Sequence, residues 1–418
     1  MIGISFNKKE FEYDAYTLVK AFYPKEDIEM YGTWEEEGPK DYEKLVSISY
    51  GDRVVIGVHT REHTLEDSAP YDEKEDRKKR KNTLKQILYK LLVQETGQTL
   101  PWGNLTGIRP VKIAMGLIEE GMTNAQAADF MRKTYFTSNE KTALAIAIAN
   151  RERDILKDID YKRGYSLYVG IPFCPSICLY CSFSSSPLEK WRDRVEDYLT
   201  ALLKELDFIS QAMKDRPLNT IYIGGGTPTT LEPDQLRRLL GYIQERFPVK
   251  DISEYTIEAG RPDSITREKL MAIREFPVTR ISVNPQTMNQ KTLEIIGRRH
   301  TVEDTVRAFE LARDCGFDNI NMDLIVGLPG EHKADVEHTL EEVKRLAPDS
   351  LTVHSLAVKR AARLNIFRDQ YQEMTFENNQ EIMDMAMKYA YEMGMGPYYL
   401  YRQKNMCGNL ENTGFAKV

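Results

Sequence analysis

Apolar and polar positions alternate in two different rhythms along this chain. Over the first hundred residues, short alternating runs predict strands at Ile2–Phe6, Leu45–Tyr50 and Arg53–His59, and helical spacing covers Phe11–Ala21. A small sheet with one covering helix follows. The charged run from Asp72 to Lys81 opens a further helix that continues to about Glu95. Glu73, Glu75 and Asp76 beside Lys78, Lys79, Arg80 and Lys81 make it a solvated helix start rather than an anion patch. Residues 110–159 read as helical, with Asn124 and Ser138 as caps before Ala-rich apolar faces. Between them, Leu100-Pro-Trp-Gly-Asn-Leu-Thr-Gly-Ile-Arg-Pro110 breaks periodicity around one large aromatic, as an ordered connector packing onto the next domain would.

From Tyr165 the rhythm changes to short apolar strands separated by amphipathic helices. Strands are predicted at Ser166–Ile171, Thr220–Ile223, Tyr255–Glu258, Arg280–Val283, Asn319–Ile325 and Ser350–Ser355, with helices such as Arg194–Met213 and Pro233–Glu245 between them. Six such units imply an α/β fold whose parallel sheet curls into a full or partial barrel. The expected divisions are a small mixed α/β domain at 1–100, a helical connector at 101–162 and the barrel at 163–400.

Distinctive residues recur just after the predicted strands, at the carboxyl ends where barrel active sites lie. A cysteine-rich loop follows the first strand, and Gly224-Gly-Gly-Thr-Pro-Thr229 follows the second. Glu258 ends the third, Gln286 follows the fourth, Asp323 lies in the fifth and Ala357 follows the sixth. A triple glycine lets backbone approach a ligand closely and present N–H and C=O groups. Glu258 suits a ribose diol or a salt-bridged strand end. Arg298 and Asp323 could pair with each other or hold a polar ligand, and Gln286 reads equally as a packing residue. His300, His332, His338 and His354 form no sequence cluster.

The loop holds Cys174, Cys178 and Cys181, three of the five cysteines in the chain. A structural zinc site wants four ligands, and Cys315 and Cys407 lie far off without a partner at pair spacing. A four-iron four-sulfur cluster takes one thiolate per iron, so three cysteines would leave one iron open to an outside ligand. Composition narrows the rest. With 57 basic against 64 acidic residues and no basic stripe, nucleic acid is disfavoured as a partner. No N-terminal apolar run follows a basic start, no stretch of about 18 apolar residues occurs, and the odd cysteine count does not suggest a disulfide framework, so a reduced, cytoplasmic setting is expected.

The C-x3-C-x2-C spacing, with Tyr180 before the third cysteine, resembles the radical S-adenosylmethionine (SAM) superfamily. From Tyr168 to about Lys404 the chain is similar to oxygen-independent coproporphyrinogen III oxidase, and most closely to its HemZ branch. The runs that carry the likeness are YVGIPFC, CLYCSF, IGGGTPTTL, TIEAGRPDSIT, TRISVNPQTMN, IGRRHT, NMDLIVGLPGE and YYLYRQKNM. The resemblance implies a radical SAM partial (βα)6 TIM-like barrel with Cys174, Cys178 and Cys181 on a [4Fe–4S] cluster. It implies that Tyr168, Gly225 and Glu258 contact the SAM at the cluster. It associates Tyr180, Gly226, Thr227, Gln286, Arg298, Asp323 and Ala357 with a second SAM.

The activity implied is conversion of two coproporphyrinogen III propionates to vinyls through a 5′-deoxyadenosyl radical. A reducing protein such as flavodoxin or ferredoxin would supply electrons, and an electron acceptor would complete each round. This chain has Gly170 where the best-studied oxidases have His, and Phe183 where they have a further Cys. Residues 401–418 are expected to begin a C-terminal region that is truncated here. Two related activities share the signature: a haem chaperone, and a radical SAM methyltransferase acting on haem.

Overall fold

The computed structural model describes residues 1–32, 42–107, 109–371, 374–402 and 410–417. Cys407 and the end of the YYLYRQKNM run lie outside the described residues. The chain divides into two compact units, residues 1–150 with Tyr401 and Arg402, and residues 151–400 with 410–417.

In the first unit, β1 (Ile2–Phe6), α1 (Glu12–Phe22), β2 (Ile28–Tyr31), β3 (Lys44–Tyr50), β4 (Arg53–Thr60), β5 (Thr64–Pro70) and α2 (Arg77–Thr96) come first. The sheet runs β2-β1-β3-β4-β5, parallel around β1 and antiparallel from β3 onward. Ile2, Ile4, Val46, Ile48, Val54 and Ile56 pack with Leu18 and Val19 of α1 and with Leu84, Leu88 and Leu92 of α2. Strands β2 and β5 escaped the apolar pattern because they are the two sheet edges, and β5 offers mostly polar side chains to solvent. The basic run at the head of α2 is neutralised as expected: Asp76 caps the helix, and Arg80 pairs with Glu10 at 2.5 Å.

Helices α3 (Val111–Glu119), α4 (Asn124–Tyr135) and α5 (Asn139–Leu156) follow. Helix α4 is capped by Thr123, not Asn124, through a capping box with Gln126. Ser138 does cap α5, its hydroxyl accepting from Lys141 N at 3.2 Å. The connector is tied to this same unit: Asn104 N donates to Tyr135 O, and Ser138 N to Pro101 O, each at 2.9 Å. Trp102 is fully buried, with the Arg402 guanidinium 5.6 Å from its ring.

The second unit opens with β6 (Tyr165–Ile171), β7 (Phe173–Cys174) and β8 (Ser186–Pro187). After α6 (Val195–Ala212), strand and helix alternate through β9 (Leu218–Gly225), α7 (Pro233–Arg246), β10 (Glu254–Gly260), α8 (Arg267–Arg274), β11 (Arg280–Val283), α9 (Val302–Asp314), β12 (Ile320–Val326), α10 (Lys333–Leu346) and β13 (Ser350–Ser355). Helix α11 (Gln380–Glu392), β14 (Met395–Tyr401) and β15 (Asn412–Lys417) complete it. The sheet order is β14-β15-β13-β12-β11-β10-β9-β6. The six strands from β6 to β13 are parallel and stand in chain order, forming the expected half-barrel, so their carboxyl ends share one rim. Residues 412–417 add an antiparallel strand beside β13.

Alternation along the strands separates two faces. Ile221, Ile257, Ile281, Met322 and Leu351 belong to the buried core with Leu236, Leu240, Ile243 and Leu340 of the helices. Tyr222, Glu258, Ser282 and Asp323 fall on the intervening positions. Among the described residues no helix is long and apolar enough to cross a membrane.

Replacing Trp102 by Ala empties the centre of the connector. Trp102→Ala is expected to cost about 3–5 kcal/mol in urea unfolding of the first unit, whereas Asn124→Ala, lying inside the helix rather than at its cap, is expected to stay within about 0.5 kcal/mol of the parent.

Candidate functional site

The cysteine loop is held at its base and on both flanks. Phe173 and Cys174 pair with Ser186 and Pro187, and Ser186 N donates to Pro172 O at 2.7 Å. Leu179 N donates to Ile296 O and Leu364 N to Leu179 O, both at 2.9 Å, while Ser176 Oγ reaches Gly297 O at 3.0 Å. Leu179, Leu293, Ile296, Ile325, Leu328, Leu356 and Leu364 form a separate apolar cluster beside the loop.

All three thiols of the loop are free, with Cys174 and Cys178 buried and Cys181 partly exposed. Each sulfur has a polar neighbour: Thr227 Oγ1 lies 3.6 Å from Cys174, an Arg261 N–H group 3.8 Å from Cys178, and Ser185 Oγ 4.0 Å from Cys181, and Arg298 also interacts with Cys178. Burial pushes the Cys174 and Cys181 thiols up, and the mutual repulsion of the three sulfurs adds to it. Gathering three thiolates here therefore calls for a strongly positive partner. Among the described residues no group of three Cys, His, Asp or Glu side chains is gathered so as to hold a single metal ion.

The glycine turn presses directly on this loop. Gly226 N donates to Ile171 O and Thr227 N to Phe173 O, both at 2.7 Å. Gly225 has φ +108°, and a Cβ there would stand 2.9 Å from Ile171 N. A Cβ on Gly226 would meet Phe173 O at 2.7 Å and Cys174 Sγ at 2.9 Å. Glycine is required at both positions, for conformation at one and for space at both. Gly170 differs: a Cβ there meets only Tyr168 Cε1, at an ordinary 3.6 Å.

Beside the turn, Tyr168 stacks on Tyr222 with ring centroids 5.9 Å apart and keeps 61% of its surface exposed. The Tyr222 hydroxyl donates to Glu258 Oε1. Burial, together with the charge of Asp323, lifts the Glu258 carboxyl to about 7, against the opposing pull of the Tyr222 hydrogen bond and Arg280. This wall offers an aromatic face, a carboxylate and bare backbone side by side.

Farther along the rim, Gln286 adopts a left-handed backbone, φ +69°, clamped by Gln286 N to Asp323 O at 3.0 Å and Ile325 N to Gln286 O at 2.9 Å. Such a conformation costs a non-glycine residue on the order of 1 kcal/mol. Its Oε1 is buried without a partner, as are Ser282 Oγ and Asn284 Oδ1. Arg298 and Asp323 do not pair with each other. The Arg298 guanidinium reaches Asn284 O at 2.5 Å and Tyr180 Oη at 3.2 Å, while Asp323 accepts from Asn321 Nδ2 at 2.7 Å and lies 3.9 Å from His354 Nε2. Ala357 stands two residues beyond β13, half-buried.

Three residues that the pattern did not single out belong to the site. Tyr222 supports both Tyr168 and Glu258. Arg261 is 4% exposed and ties Ser176 to Asp263. His300 is buried with its Nδ1 3.8 Å from an Asp263 carboxylate oxygen. Polar residues just past a parallel strand, as Arg261 is past β10, were the available signal.

The residues present suit a thiolate-bound iron cluster and a polar, amphiphilic ligand: three clustered thiols, a backbone cradle that a Cβ would fill, and buried oxygen atoms awaiting donors. Comparison with known proteins agrees. Residues 168–343 match the radical SAM superfamily model. The chain is 41% identical over 391 residues to the oxygen-independent coproporphyrinogen-III oxidase-like protein HemZ of Bacillus subtilis, covering 91% of this chain and 78% of that one. It is 40% identical over 195 residues to the heme chaperone HemW of Bacillus subtilis, and 34% over 195 residues to the oxygen-independent coproporphyrinogen III oxidase of Pseudomonas aeruginosa. Those two matches span 46% of this chain and 51% and 42% of the relatives, about half of each. Among solved structures, coproporphyrinogen III oxidase (HemN) from Escherichia coli superposes with TM-score 0.50 at 26% identity, over 61% of this chain and 56% of that one. A half-barrel whose first loop gathers three thiols, in a chain aligned with HemZ over most of its length, thus belongs to the HemZ branch of the HemN-like radical SAM family, whose cofactors are a [4Fe–4S] cluster and SAM.

Proposed function

We propose that this protein is a radical SAM coproporphyrinogen dehydrogenase that converts propionate side chains of coproporphyrinogen III to vinyl groups without oxygen. The reading rests on the juxtaposition, at one rim, of the three-thiol loop with the Tyr168–Tyr222–Glu258 wall. The names of its HemZ and coproporphyrinogen oxidase relatives point to a tetrapyrrole as substrate. Cys174, Cys178 and Cys181 would bind three irons and leave the fourth open to SAM. When bound, the reduced cluster and SAM supply a 5′-deoxyadenosyl radical that takes hydrogen from the propionate; loss of carbon dioxide and one electron then leaves the vinyl group.

The chain's own part is placement. Gly225 would bring backbone against the methionine end of SAM, Tyr168 would cover it, and Glu258 would accept hydrogen bonds from the ribose diol. The family resemblance assigns Tyr180, Gly226, Thr227, Gln286, Arg298, Asp323 and Ala357 to a second SAM. The buried Gln286 Oε1 and Asn284 Oδ1 would supply acceptors for it. A low-potential reducing protein such as flavodoxin or ferredoxin and a separate electron acceptor complete the cycle, in a reducing cytoplasm.

A haem-carrier role is the second reading, favoured by the 40% identity to HemW over 195 residues. The reconstituted protein, incubated anaerobically with coproporphyrinogen III, SAM, reductant and acceptor, separates the two. Stepwise loss of two carboxyl groups with matching 5′-deoxyadenosine is expected; tightly held haem with an untouched porphyrinogen would support the carrier.

Two further outcomes test the site. Gly226→Ala is expected to lower iron content at least twofold by driving a methyl group against Cys174, with circular dichroism unchanged. Because the Glu258 carboxyl titrates at about 7 and a diol donates to its ionised form, SAM affinity should be full above that pH and fall roughly tenfold for each unit below it. Calorimetry with Glu258→Gln should show weaker binding and a flat profile; an unchanged slope would remove Glu258 from the ligand site.

A further inference from the structure

Arg261 is a buried charge beside the cysteine loop that the mechanism above leaves unused. It leaves the carboxyl end of β10 just after Gly260, whose φ is +65°, and its side chain turns back under the cysteine loop. One guanidinium edge faces Asp263 in a fork, Nε to Oδ1 at 2.9 Å and Nη2 to Oδ2 at 2.6 Å. The remaining nitrogen, Nη1, donates to Ser176 O at 2.9 Å, reaches Ser176 Oγ at 2.8 Å and lies 3.8 Å from Cys178 Sγ.

The planar fork explains why arginine stands here. A guanidinium can satisfy a carboxylate along one edge and still point an N–H at a second target, which an ammonium on a flexible stem does less specifically. Asp263 neutralises the charge, so what reaches Cys178 is a positioned N–H donor rather than a bare cation. Hydrogen bonds to cluster sulfurs stabilise the added electron and raise the reduction potential. Ser176 lies two residues before Cys178, so the same side chain also fixes the loop that presents this sulfur.

We propose that Arg261 is a positioning residue that seats the Cys178 segment and, through its N–H toward the Cys178 sulfur, raises the reduction potential of the cluster. Asp263 is the counterweight that keeps the guanidinium in that orientation. The inference rests on the reading of Cys178 as a cluster ligand.

The test is a redox titration of the anaerobically reconstituted full chain, followed by electron paramagnetic resonance, with iron and sulfide counted for each variant. Arg261→Gln should move the midpoint to more negative potential, and Arg261→Lys, which retains a donor, should fall between it and the parent. If Arg261→Gln fails to assemble the cluster, Arg261→Lys decides the matter, a midpoint equal to the parent's overturning the proposal. An unchanged midpoint in cluster-loaded Arg261→Gln likewise overturns it. Cys178→Ala tests the underlying reading separately: a full-strength cluster without that thiol would overturn the ligand assignment itself.

Discussion

Backbone-to-backbone contact between the glycine turn after β9 and the cysteine segment after β6 is the constraint from which the site follows. With Gly226 N on Ile171 O and Thr227 N on Phe173 O, the two strand ends are locked with no side chain between them. A hydrogen-bonded pair of loops is worth only about 1 kcal/mol per bond in net stability. Its value here is geometric: it fixes where Cys174 points, and the Thr227 hydroxyl beside that sulfur follows from the same turn.

The rest of the rim shows polar groups kept ready at the expense of local comfort. Gln286 holds a left-handed backbone, and the Ser282, Asn284 and Gln286 oxygens are buried without partners. Glu258 is lifted well above its ordinary range by burial. None of these features helps the empty fold, since unpaired buried polar atoms cost on the order of 1–3 kcal/mol each. All of them lie on or just beyond β10 and β11, where a ligand's donors would meet them.

Much of the barrel was legible in the sequence because its strands are central and parallel. Apolar on the face toward the helices, they read as short apolar runs, and β11 and β13 fall where the pattern places them. The edges β2 and β5 were not legible, since an edge strand needs few apolar residues. The cysteine spacing and the glycine turn were visible because each is local. Tyr168 and Glu258 could be named singly, but the tyrosine that joins them, Tyr222, sits on a middle strand and looks like any core aromatic. Pairing of Arg298 with Asp323 looked plausible in sequence, yet the fold sends one to Tyr180 and the other to Asn321. Arg261 showed in the sequence only as a polar residue past a strand, because its role depends on a sulfur far away in the chain.

The flanking clamps on the cysteine loop have an order-of-events consequence. Leu179 is bonded on one side to Ile296 and on the other to Leu364, which lie in the fourth and sixth strand-to-helix crossovers of the barrel. Contacts so distant in sequence form late, after the intervening chain has closed its loops. While the ribosome is still supplying that part of the chain, the three thiols have no fixed cage. The final shape of the cysteine loop therefore belongs to a nearly finished barrel rather than to the emerging segment.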